Sequence, residues 1–531
     1  MQMNDIKILD CTLRDGGYIN DFAFGENTIS KIIYRLANGN IDIIECGFLK
    51  SDCNDHDKSL FGSIADIRKV IGQKHKNVIY VAMIQYGAIS IDEIEVYDGT
   101  SIDGIRITFH EHEIDDAILL GKELMIKGYK VFMQPVGTTT YEDDNLLDLI
   151  KKINRLKPYA FYIVDTLGLM YKNDLLRMFY IVDHNLDRRI SLGFHSHNNL
   201  QMSFANAQEL TQLNTSRSLI VDSSILGMGR GAGNLNTELL AQYLNTKFAL
   251  KYNILDILYV LDEFIRPLKV IYNWGYDVAY FIAAVTGSHP NYASFLLNVQ
   301  TLRIQDINSI LMSLDDDEKT LYNKEYINKK YKEYMAHEID DSESLKYLSQ
   351  KIGKKKVLLL APGKSLRSNM IKLKKLIEKE EYYVISINFK SAELPVDMVY
   401  VSNIKRFDNI EKMCDKEKLD IVVTSNILQK AKSNMLIVNY SSYLDENEYI
   451  YDNAGIMCIN LLSKLGKEKF LLAGFDGYSG DLRENYFEKD LFLKLDQDRI
   501  FKINTAMNKK FEQLQKQIEI EFFNINSMDI M

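Results

Sequence analysis

Cysteine and long apolar runs are scarce in this sequence. The chain of 531 residues has five cysteines, and they form no CxxC pair and no regular framework. This usage argues against a disulfide-stapled secreted protein and suits a reducing cytosol. No stretch approaches the roughly 18 uninterrupted apolar residues that a membrane-spanning helix needs. We therefore expect neither a disulfide scaffold nor a membrane span.

An excess of positive charge and an apolar leader are also absent. The formal net charge is -9, which gives no electrostatic reason to expect nucleic acid or an anionic membrane as a partner. The N-terminal segment MQMNDIKILD has charged residues where a signal peptide needs an apolar core. With 46% hydrophobic and 26% charged residues, the composition is that of a soluble globular protein, and its length predicts two or three domains. We expect a cytoplasmic protein.

The first half of the chain has a regular strand and helix rhythm. Eight β-rich runs begin about 25 to 38 residues apart, and helical patterns closed by glycine lie between them. The runs are IKILD, IDIIECGF, VIYVAMI, DGIRITF, YKVFMQPV, AFYIVD, ISLGFHSH and SLIVDSSI. Eight strands alternating with helices over roughly 250 residues predict a (β/α)8 TIM barrel, with an open doubly wound sheet as the alternative.

Two histidines mark the end of the seventh run. His195 and His197 are two residues apart on a predicted strand, so both imidazoles share one face and can reach one metal ion. In a TIM barrel the strand ends meet at one face, where Asp15 would join them. One carboxylate and two imidazoles suit Mn²⁺, Mg²⁺, Co²⁺ or Zn²⁺. The alternative is that both histidines are ordinary core or loop residues.

Four motifs resemble the DRE-TIM metallolyase superfamily, also called the HMGL-like family. They are CTLRDGGYIN, IIECGF, GFHSHNN and GMGRGAGN, and they occur in the family's order. Over roughly residues 4 to 300 the chain most resembles the 4-hydroxy-2-oxovalerate aldolases. The resemblance implies that Asp15, His195 and His197 bind a divalent metal, with Mn²⁺ or Mg²⁺ expected ahead of Co²⁺ or Zn²⁺. It also implies that Asn234 is a further ligand or a residue that contacts the ligands.

The same resemblance implies an enolate chemistry. Arg14 would stabilise the enolate that forms when a carbon–carbon bond beside a ketone breaks, and a 2-oxo acid and an aldehyde would be the small-molecule partners. Glu45 would orient Arg14 or a metal-bound water, and a buried structural ion pair is the alternative. Tyr292 lies in a segment similar to the aldolases' tyrosine region after the barrel. It would donate a proton to the enolate or pack with Phe295.

The chain departs from the aldolase pattern at one position. Where those aldolases have a histidine base, this sequence has Tyr18, and an ordinary tyrosine titrates near pH 10 and is a poor base. Tyr18 is the candidate catalytic residue at this position, with the metal or an arginine needed to activate its hydroxyl. His110 and His289 are alternative bases. The departure leaves two other functions open: a Claisen-type synthase that condenses acetyl-CoA with a 2-oxo acid, and a scaffold with a degenerate barrel. We also expect a homo-oligomer.

The C-terminal half begins with a strand, a glycine loop and a helix. Gly363, Lys364 and Ser365 precede that helix, whose N-terminus favours an anion such as phosphate. The loop is not a Walker A motif, because Leu358 stands where that motif needs glycine. Later β-rich runs predict an open Rossmann-like α/β sheet. A structural or oligomerisation domain without a ligand is the alternative.

The C-terminal motifs APGKSL, VYVSNIKRF and LLAGFDGYSGDLRENYF resemble Rossmann-like domains of bacterial sialyltransferase-like and polysaccharide-assembly proteins. The resemblance implies a nucleotide or nucleotide-sugar ligand, with Asp476 beside a polar group, and a sugar-derived aldehyde for the barrel in surface polysaccharide biosynthesis. We predict a barrel domain over 1–300, a charged helical connector over 301–350 and an α/β domain over 351–531.

Overall fold

The computed structural model describes residues 5–299, 301–379, 381–414, 419–432, 434–480, 485–487 and 497–523. The chain forms two compact units. The first, the barrel unit, comprises residues 1–298 and 307–324, and the second, the C-terminal unit, comprises 299–306 and 325–531. The predicted connector is therefore divided between the two units, since 307–324 belongs to the barrel unit and the rest of it to the C-terminal unit.

Eight parallel strands of the barrel unit close into a TIM barrel. Their order is β1-β9-β8-β7-β6-β5-β4-β2, and pairing of β1 with β2 closes the ring. A two-residue strand, β3, runs beside β2. All eight predicted runs are strands, and the TIM-barrel prediction is confirmed. The strands are β1 (Ile6–Asp10), β2 (Ile43–Leu49), β3 (Leu60–Phe61), β4 (Ile79–Gln85), β5 (Gly104–Phe109), β6 (Lys130–Pro135), β7 (Ala160–Asp165), β8 (Ser191–Ser196) and β9 (Leu219–Ser223).

Amphipathic helices surround the barrel. In the first of them, Ile29, Ile32, Ile33 and Leu36 recur at helical spacing and are buried, so that one face of the helix joins the main apolar core. The helices of this unit are α1 (Glu26–Asn38), α2 (Ile64–Ile71), α3 (Ile114–Ile126), α4 (Asp143–Leu156), α5 (Lys172–Asn185), α6 (Ser203–Gln212), α7 (Thr237–Phe248), α8 (Ile254–Val260), α9 (Arg266–Ile271), α10 (Val278–Val285) and α11 (Pro290–Leu297).

The glycine-rich loop after β9 is pinned beside the end of β8. His197, one residue beyond β8, forms an isolated antiparallel bridge with Asn234. Gly233 has a φ of +82°, and a Cβ there would lie 2.0 Å from the Gly227 carbonyl oxygen, so only glycine fits. The tight loop brings the GMGRGAGN and HSH motifs together, although they are far apart in the sequence.

The C-terminal unit contains a separate parallel sheet with order β14-β13-β12-β11-β10-β15-β16. It is an α/β unit, as the sequence predicts, and its last strand was not among the predicted runs. The strands are β10 (Lys356–Leu360), β11 (Tyr382–Ile387), β12 (Met398–Val401), β13 (Asp420–Thr424), β14 (Leu436–Val438), β15 (Lys469–Ala473) and β16 (Glu519–Phe522).

Three helices span the predicted connector, and four more accompany the second sheet. They are α12 (Ile304–Met312), α13 (Lys324–Met335), α14 (Ser342–Ile352), α15 (Ser365–Lys379), α16 (Ile404–Cys414), α17 (Ala454–Lys464) and α18 (Gln497–Leu514). Among the described residues, no helix has the length and apolar character needed to cross a membrane.

Candidate metal centre

Asp15, His195 and His197 meet at the carboxyl ends of the barrel strands. Each offers a ligand atom, all of these atoms lie within 4.8 Å of one another, and all three residues are buried. The Nε2 of His195 is 4.0 Å from the Oδ2 of Asp15. The two imidazole rings are nearly perpendicular, with centroids 5.2 Å apart. This spacing can accommodate one divalent ion among the three side chains.

A carboxylate behind the cluster orients His195. The Nδ1 of His195 lies 3.0 Å from the Oδ2 of Asp222, which also binds Arg106. Burial would raise the pKa of Asp222, but the Arg106 guanidinium and the His195 contact together hold that pKa below its usual value. The ionised carboxylate can only accept a hydrogen bond, which assigns the hydrogen of the neutral imidazole to Nδ1 of His195. The lone pair of Nε2 then faces Asp15.

The protonation states of the other two side chains also suit a cation. Burial lowers the pKa of His197 to about 3, against the opposing charge of Asp15. Burial would raise the pKa of Asp15, but the Arg14 guanidinium and the two histidines bring it below the usual value. At neutral pH the centre therefore contains an ionised carboxylate and a neutral His197 imidazole.

Unpartnered oxygen atoms mark the place where a cation fits. The Oδ2 of Asp15 and the Oδ1 of Asn234 are buried without a hydrogen-bond partner among the described residues. Asn234 donates from Nδ2 to the Met228 carbonyl oxygen at 3.2 Å, which leaves Oδ1 free to accept. A Cβ at Gly229 would lie 2.6 Å from Asn234 Nδ2 and 3.2 Å from Asp15 Oδ2. The glycine thus permits the close approach, and the donor set fits a divalent metal.

Arg14 is held by carboxylates on two sides. Its Nη1 donates to Asp15 Oδ1 at 2.7 Å and its Nε donates to Glu45 Oε2 at 2.8 Å. The same Glu45 oxygen is also 2.9 Å from Nη1 of Arg106, so Glu45 forms buried ion pairs with both arginines. Its role in orienting Arg14 or a metal-bound water stays a prediction. The Nη2 of Arg14 is buried without a partner among the described residues. One N–H-bearing nitrogen is therefore available to an oxyanion.

Tyr18 is partly exposed, in contrast to the three buried residues of the cluster. It follows Asp15 on a short 3₁₀ helix, Gly16–Ile19, and is 40% exposed. Its ring packs edge-on against Phe22 and Phe48, and the guanidinium of Arg230 lies 4.1 Å from its centroid. The catalytic role of Tyr18 stays a prediction.

The two alternative bases have local structural contacts. The backbone N–H of His110 donates to Glu113 Oε2 at 2.7 Å, and its ring stacks on His112. His289 accepts a hydrogen bond from the Asn291 backbone N–H at its Nδ1, 3.1 Å away, and so caps α11. Burial, reinforced by the charge of Arg230, lowers the pKa of His289 to about 3. Its imidazole is neutral at physiological pH.

Tyr292 is fully buried in the barrel unit. Its hydroxyl is 2.8 Å from the Glu318 carbonyl oxygen and 2.7 Å from that of Leu321, and it accepts from the Asn323 backbone N–H at 3.2 Å. Its ring packs against Tyr322. These contacts attach the segment after α12 to α11. The hydroxyl therefore holds two segments of the barrel unit together. Its role as a proton donor to the enolate stays a prediction.

Three charged residues of the site were not among the predicted site residues: Arg106, Asp222 and Arg230. Arg106 and Asp222 lie in strands β5 and β9 and are buried. A charged residue inside an otherwise apolar strand costs free energy unless it is paired. The charges in these two strands were therefore the sequence feature that could have identified Arg106 and Asp222. Arg230 lies within the glycine-rich motif itself.

In the C-terminal unit, Gly363, Ser365 and Asp476 come together. Asp476 Oδ2 accepts from the Ser365 backbone N–H at 2.6 Å, and its other oxygen accepts from the Ser365 hydroxyl. A Cβ at Gly363 would lie 2.6 Å from Asp476 Oδ2. A carboxylate of the chain therefore occupies the N-terminus of α15, where the sequence predicts a phosphate. A bound phosphate would have to displace Asp476 or lie beside it.

Comparison with known proteins agrees with this barrel and its motifs. Residues 5–263 match the family model described as HMGL-like. This part of the chain is therefore a domain of the HMGL-like, or DRE-TIM metallolyase, family, as the four motifs predict. Membership implies a divalent metal, and the Asp15, His195 and His197 cluster is where the structure can hold one. The Rossmann-like resemblance of the C-terminal half stays a prediction.

Individual relatives differ in their named reactions. An oxaloacetate decarboxylase from Mycobacterium tuberculosis is 28% identical over 245 residues, which cover 45% of this chain and 70% of that protein. A 4-hydroxy-2-oxovalerate aldolase from Pelotomaculum thermopropionicum is 25% identical over 306 residues, 55% of this chain and 85% of that protein. The crystal structure of the N-terminal domain of a candidate aldolase from Bacteroides vulgatus is 26% identical, with a TM-score of 0.49, covering 58% of this chain and 100% of that one.

Proposed function

We propose that the barrel unit is a divalent-metal-dependent carbon–carbon lyase of the aldolase type that acts through the enolate of a 2-oxo acid. The observation that carries the proposal is the buried cluster of Asp15, His195 and His197 beside Arg14, whose Nη2 has no partner among the described residues. Mn²⁺ or Mg²⁺ is the proposed ion. The relatives are named as an aldolase and a decarboxylase, and both types of reaction can proceed through the enolate of a 2-oxo acid.

In this proposal the metal ligands and Arg14 have separate roles. Asp15, His195 and His197 would hold the ion, with the Asn234 amide oxygen beside them. The bound ion would act as a Lewis acid toward a ketone oxygen on which negative charge develops. Arg14 would donate from Nη2 to the same oxygen, and Glu45 and Asp15 hold its guanidinium in place before the reaction. In aldol cleavage the C3–C4 bond breaks, the aldehyde leaves, and C3 then takes a proton.

A second reaction, decarboxylation of a 2-oxo acid with a carboxylate on C3, would use the same groups. Aldol cleavage needs a base for the 4-hydroxyl proton, whereas loss of CO₂ gives the enolate without one. Position 18 has a tyrosine, not an imidazole, and the relative from M. tuberculosis is named a decarboxylase. These two observations favour decarboxylation as the second candidate. Release of CO₂ from oxaloacetate by the purified protein would test it.

Deuterium exchange tests the enolate chemistry common to both candidates. The full-length protein is incubated with pyruvate and Mn²⁺ in D₂O, and the C3 methyl signal is followed by proton NMR. Wild type is expected to exchange these protons, and His195→Ala to lose exchange by about 10²-fold or more, as expected when a ligand for the ion is removed. His184→Ala, on the exposed side of α5, is the matched histidine control and keeps the wild-type rate.

No exchange by wild type at any Mn²⁺ or Mg²⁺ concentration would contradict the lyase proposal and favour a scaffold with a degenerate barrel. Thiol release with acetyl-CoA and a 2-oxo acid would instead favour the Claisen-type synthase.

For the C-terminal unit we propose a nucleotide-sugar ligand, which would make a sugar-derived aldehyde a natural substrate for the barrel. The support is the motif resemblance and the convergence of Gly363, Ser365 and Asp476 at the start of α15. The full-length protein is titrated with UDP and with UDP-sugars while its thermal unfolding is followed. Stabilisation that is larger in Asp476→Asn than in wild type is expected, since the carboxylate repels phosphate. Absence of stabilisation in both proteins would contradict the proposal.

A further inference from the structure

Arg230 is a cation presented at the edge of the metal centre by a rigid loop. The preceding residue, Gly229, abuts both Asp15 and Asn234. The following residues are anchored by Asn199, whose Oδ1 accepts from the Ala232 backbone N–H at 3.0 Å while its Nδ2 donates to the Leu167 carbonyl oxygen at 2.9 Å. The loop therefore fixes the direction in which the Arg230 side chain leaves the backbone.

The guanidinium of Arg230 stacks on Tyr18 instead of meeting a carboxylate. Its centre lies 4.1 Å from the Tyr18 ring centroid. No carboxylate of the described residues lies within 4.0 Å of it, whereas Arg14 and Arg106 each bind two carboxylates. The side chain is only partly exposed. A partly buried arginine whose planar face rests on an aromatic ring keeps its N–H edge free for an anion.

Arg230 lies next to residues of the centre. Its neighbour Gly229 would place a Cβ 3.2 Å from the Asp15 Oδ2, and Gly231 would place one 3.0 Å from the Asn199 Oδ1. Tyr18, on which it stacks, is 40% exposed, so the Arg230–Tyr18 pair is open to solvent, whereas the three residues of the cluster are buried.

We propose that Arg230, stacked on Tyr18, binds a second carboxylate of the substrate, on the part that does not chelate the metal. This inference rests on the proposed function. Tyr18 then orients the guanidinium by stacking on it. This is a positioning role, whereas the resemblance to the aldolases implies a base at this position. The substrate class is a 2-oxo dicarboxylic acid or the aldol of a 2-oxo acid with an acidic carbonyl compound.

The test compares two probes that differ in the distal charge. Binding of 2-oxovalerate and 2-oxoglutarate, which share a five-carbon 2-oxo acid frame, is measured by calorimetry on the full-length protein with Mn²⁺. Wild type is expected to bind 2-oxoglutarate about tenfold more tightly, the scale of one charge-assisted contact. Arg230→Gln is expected to bind both acids equally, and Arg230→Lys to keep part of the preference.

Arg189→Gln, which removes an exposed arginine paired with Asp187, serves as the matched control and keeps the wild-type preference. Circular dichroism and thermal unfolding of Arg230→Gln verify that the variant is folded. A wild type without preference, or a preference that survives in Arg230→Gln, would overturn the assignment of Arg230 and leave the lyase proposal standing. Failure of both acids to bind, together with no deuterium exchange, would overturn the two proposals together.

Discussion

At the scale of single residues, the centre depends on groups that touch no ligand. Asp222 contacts His195 and Arg106, and Glu45 contacts Arg14 and Arg106, so one buried arginine connects the two carboxylates. Such groups set which imidazole nitrogen carries the proton and where each guanidinium points. Removing one of them leaves the other charge buried and incompletely paired. At the proposed metal site, affinity for the ion and stability of the fold are therefore expected to be coupled.

Asp222→Asn is expected to weaken Mn²⁺ binding about 10- to 100-fold, because His195 loses its ionised acceptor. The free energy of unfolding should fall by about 2–3 kcal/mol, since Arg106 loses one carboxylate and keeps Glu45. Calorimetric titration with Mn²⁺ and urea denaturation measure the two effects. Asp148→Asn, at an exposed ion pair with Lys151, should leave Mn²⁺ affinity unchanged and alter stability by less than about 0.5 kcal/mol. Unchanged Mn²⁺ affinity in Asp222→Asn would contradict the orienting role.

The cap residue His289 makes stability depend on pH. Its pKa is about 3 in the folded chain against an ordinary value near 6.5, because of burial and then the charge of Arg230. The unfolded chain therefore takes up the proton first, and stability present above pH 6.5 is lost as the pH falls toward 3. Between pH 7 and pH 4 wild type should lose about 3 kcal/mol more than His289→Asn, in which asparagine caps α11 without titrating.

Urea denaturation of wild type and His289→Asn at several pH values measures this difference. Parallel pH profiles for the two proteins would mean that protonation of His289 is not coupled to folding.

At the scale of elements, two loops add residues to the site that the strand ends form. The short helix Gly16–Ile19 follows β1 and carries Tyr18 outward, and the glycine-rich loop after β9 brings Asn234 against His197. The buried apolar residues of the strands fix the positions where the loops begin and end. The glycines in the loops allow the loop backbone to approach the residues of the site closely. A single methyl group at Gly229 is enough to test this, since it would meet the Asn234 amide at 2.6 Å.

Gly229→Ala is expected to displace the Asn234 amide and weaken Mn²⁺ binding about tenfold or more, without unfolding the barrel. Its Cβ would also lie 3.2 Å from the Asp15 Oδ2, so the carboxylate would shift as well. Gly121→Ala is the control, because its Cβ on helix α3 would meet only flexible side-chain ends at 3.2 Å or more. Mn²⁺ affinity equal to wild type in Gly229→Ala would refute this account of the loop.

At the scale of the whole molecule, two units with separate sheets divide the chain. The metal cluster belongs entirely to the barrel unit, and the helix end capped by Asp476 belongs to the C-terminal unit. A ligand that binds only the folded form of one unit stabilises that unit by mass action. The effect of Mn²⁺ should therefore be local to the barrel.

Hydrogen exchange followed by mass spectrometry measures this prediction. Saturating Mn²⁺ should slow exchange severalfold in peptides from 11–18, 195–199 and 227–236, and leave peptides from β10 and β11 unchanged. Asp15→Asn, which cannot hold the ion, is the control without protection. Equal protection of both units, or of neither, would argue against a metal site confined to the barrel.

The sequence by itself determined the barrel and the three clustered residues. Alternating apolar runs and amphipathic helices have strong local periodicity, so all eight strands could be predicted. The spacing of His195 and His197 predicted a shared face because strand geometry repeats every two residues. In both cases the information lies in residues near one another along the chain.

Only the tertiary structure decided the partners of Asp222, Arg106, Arg230 and Tyr18. These partners come from different strands and loops, and the burial of the Arg106–Asp222 pair also depends on the folded chain. The same holds for Asp476, whose carboxylate reaches a helix end more than a hundred residues earlier in the chain and occupies the predicted anion site. Electrostatic interactions act through space, and the distances that control them exist only once the chain has folded.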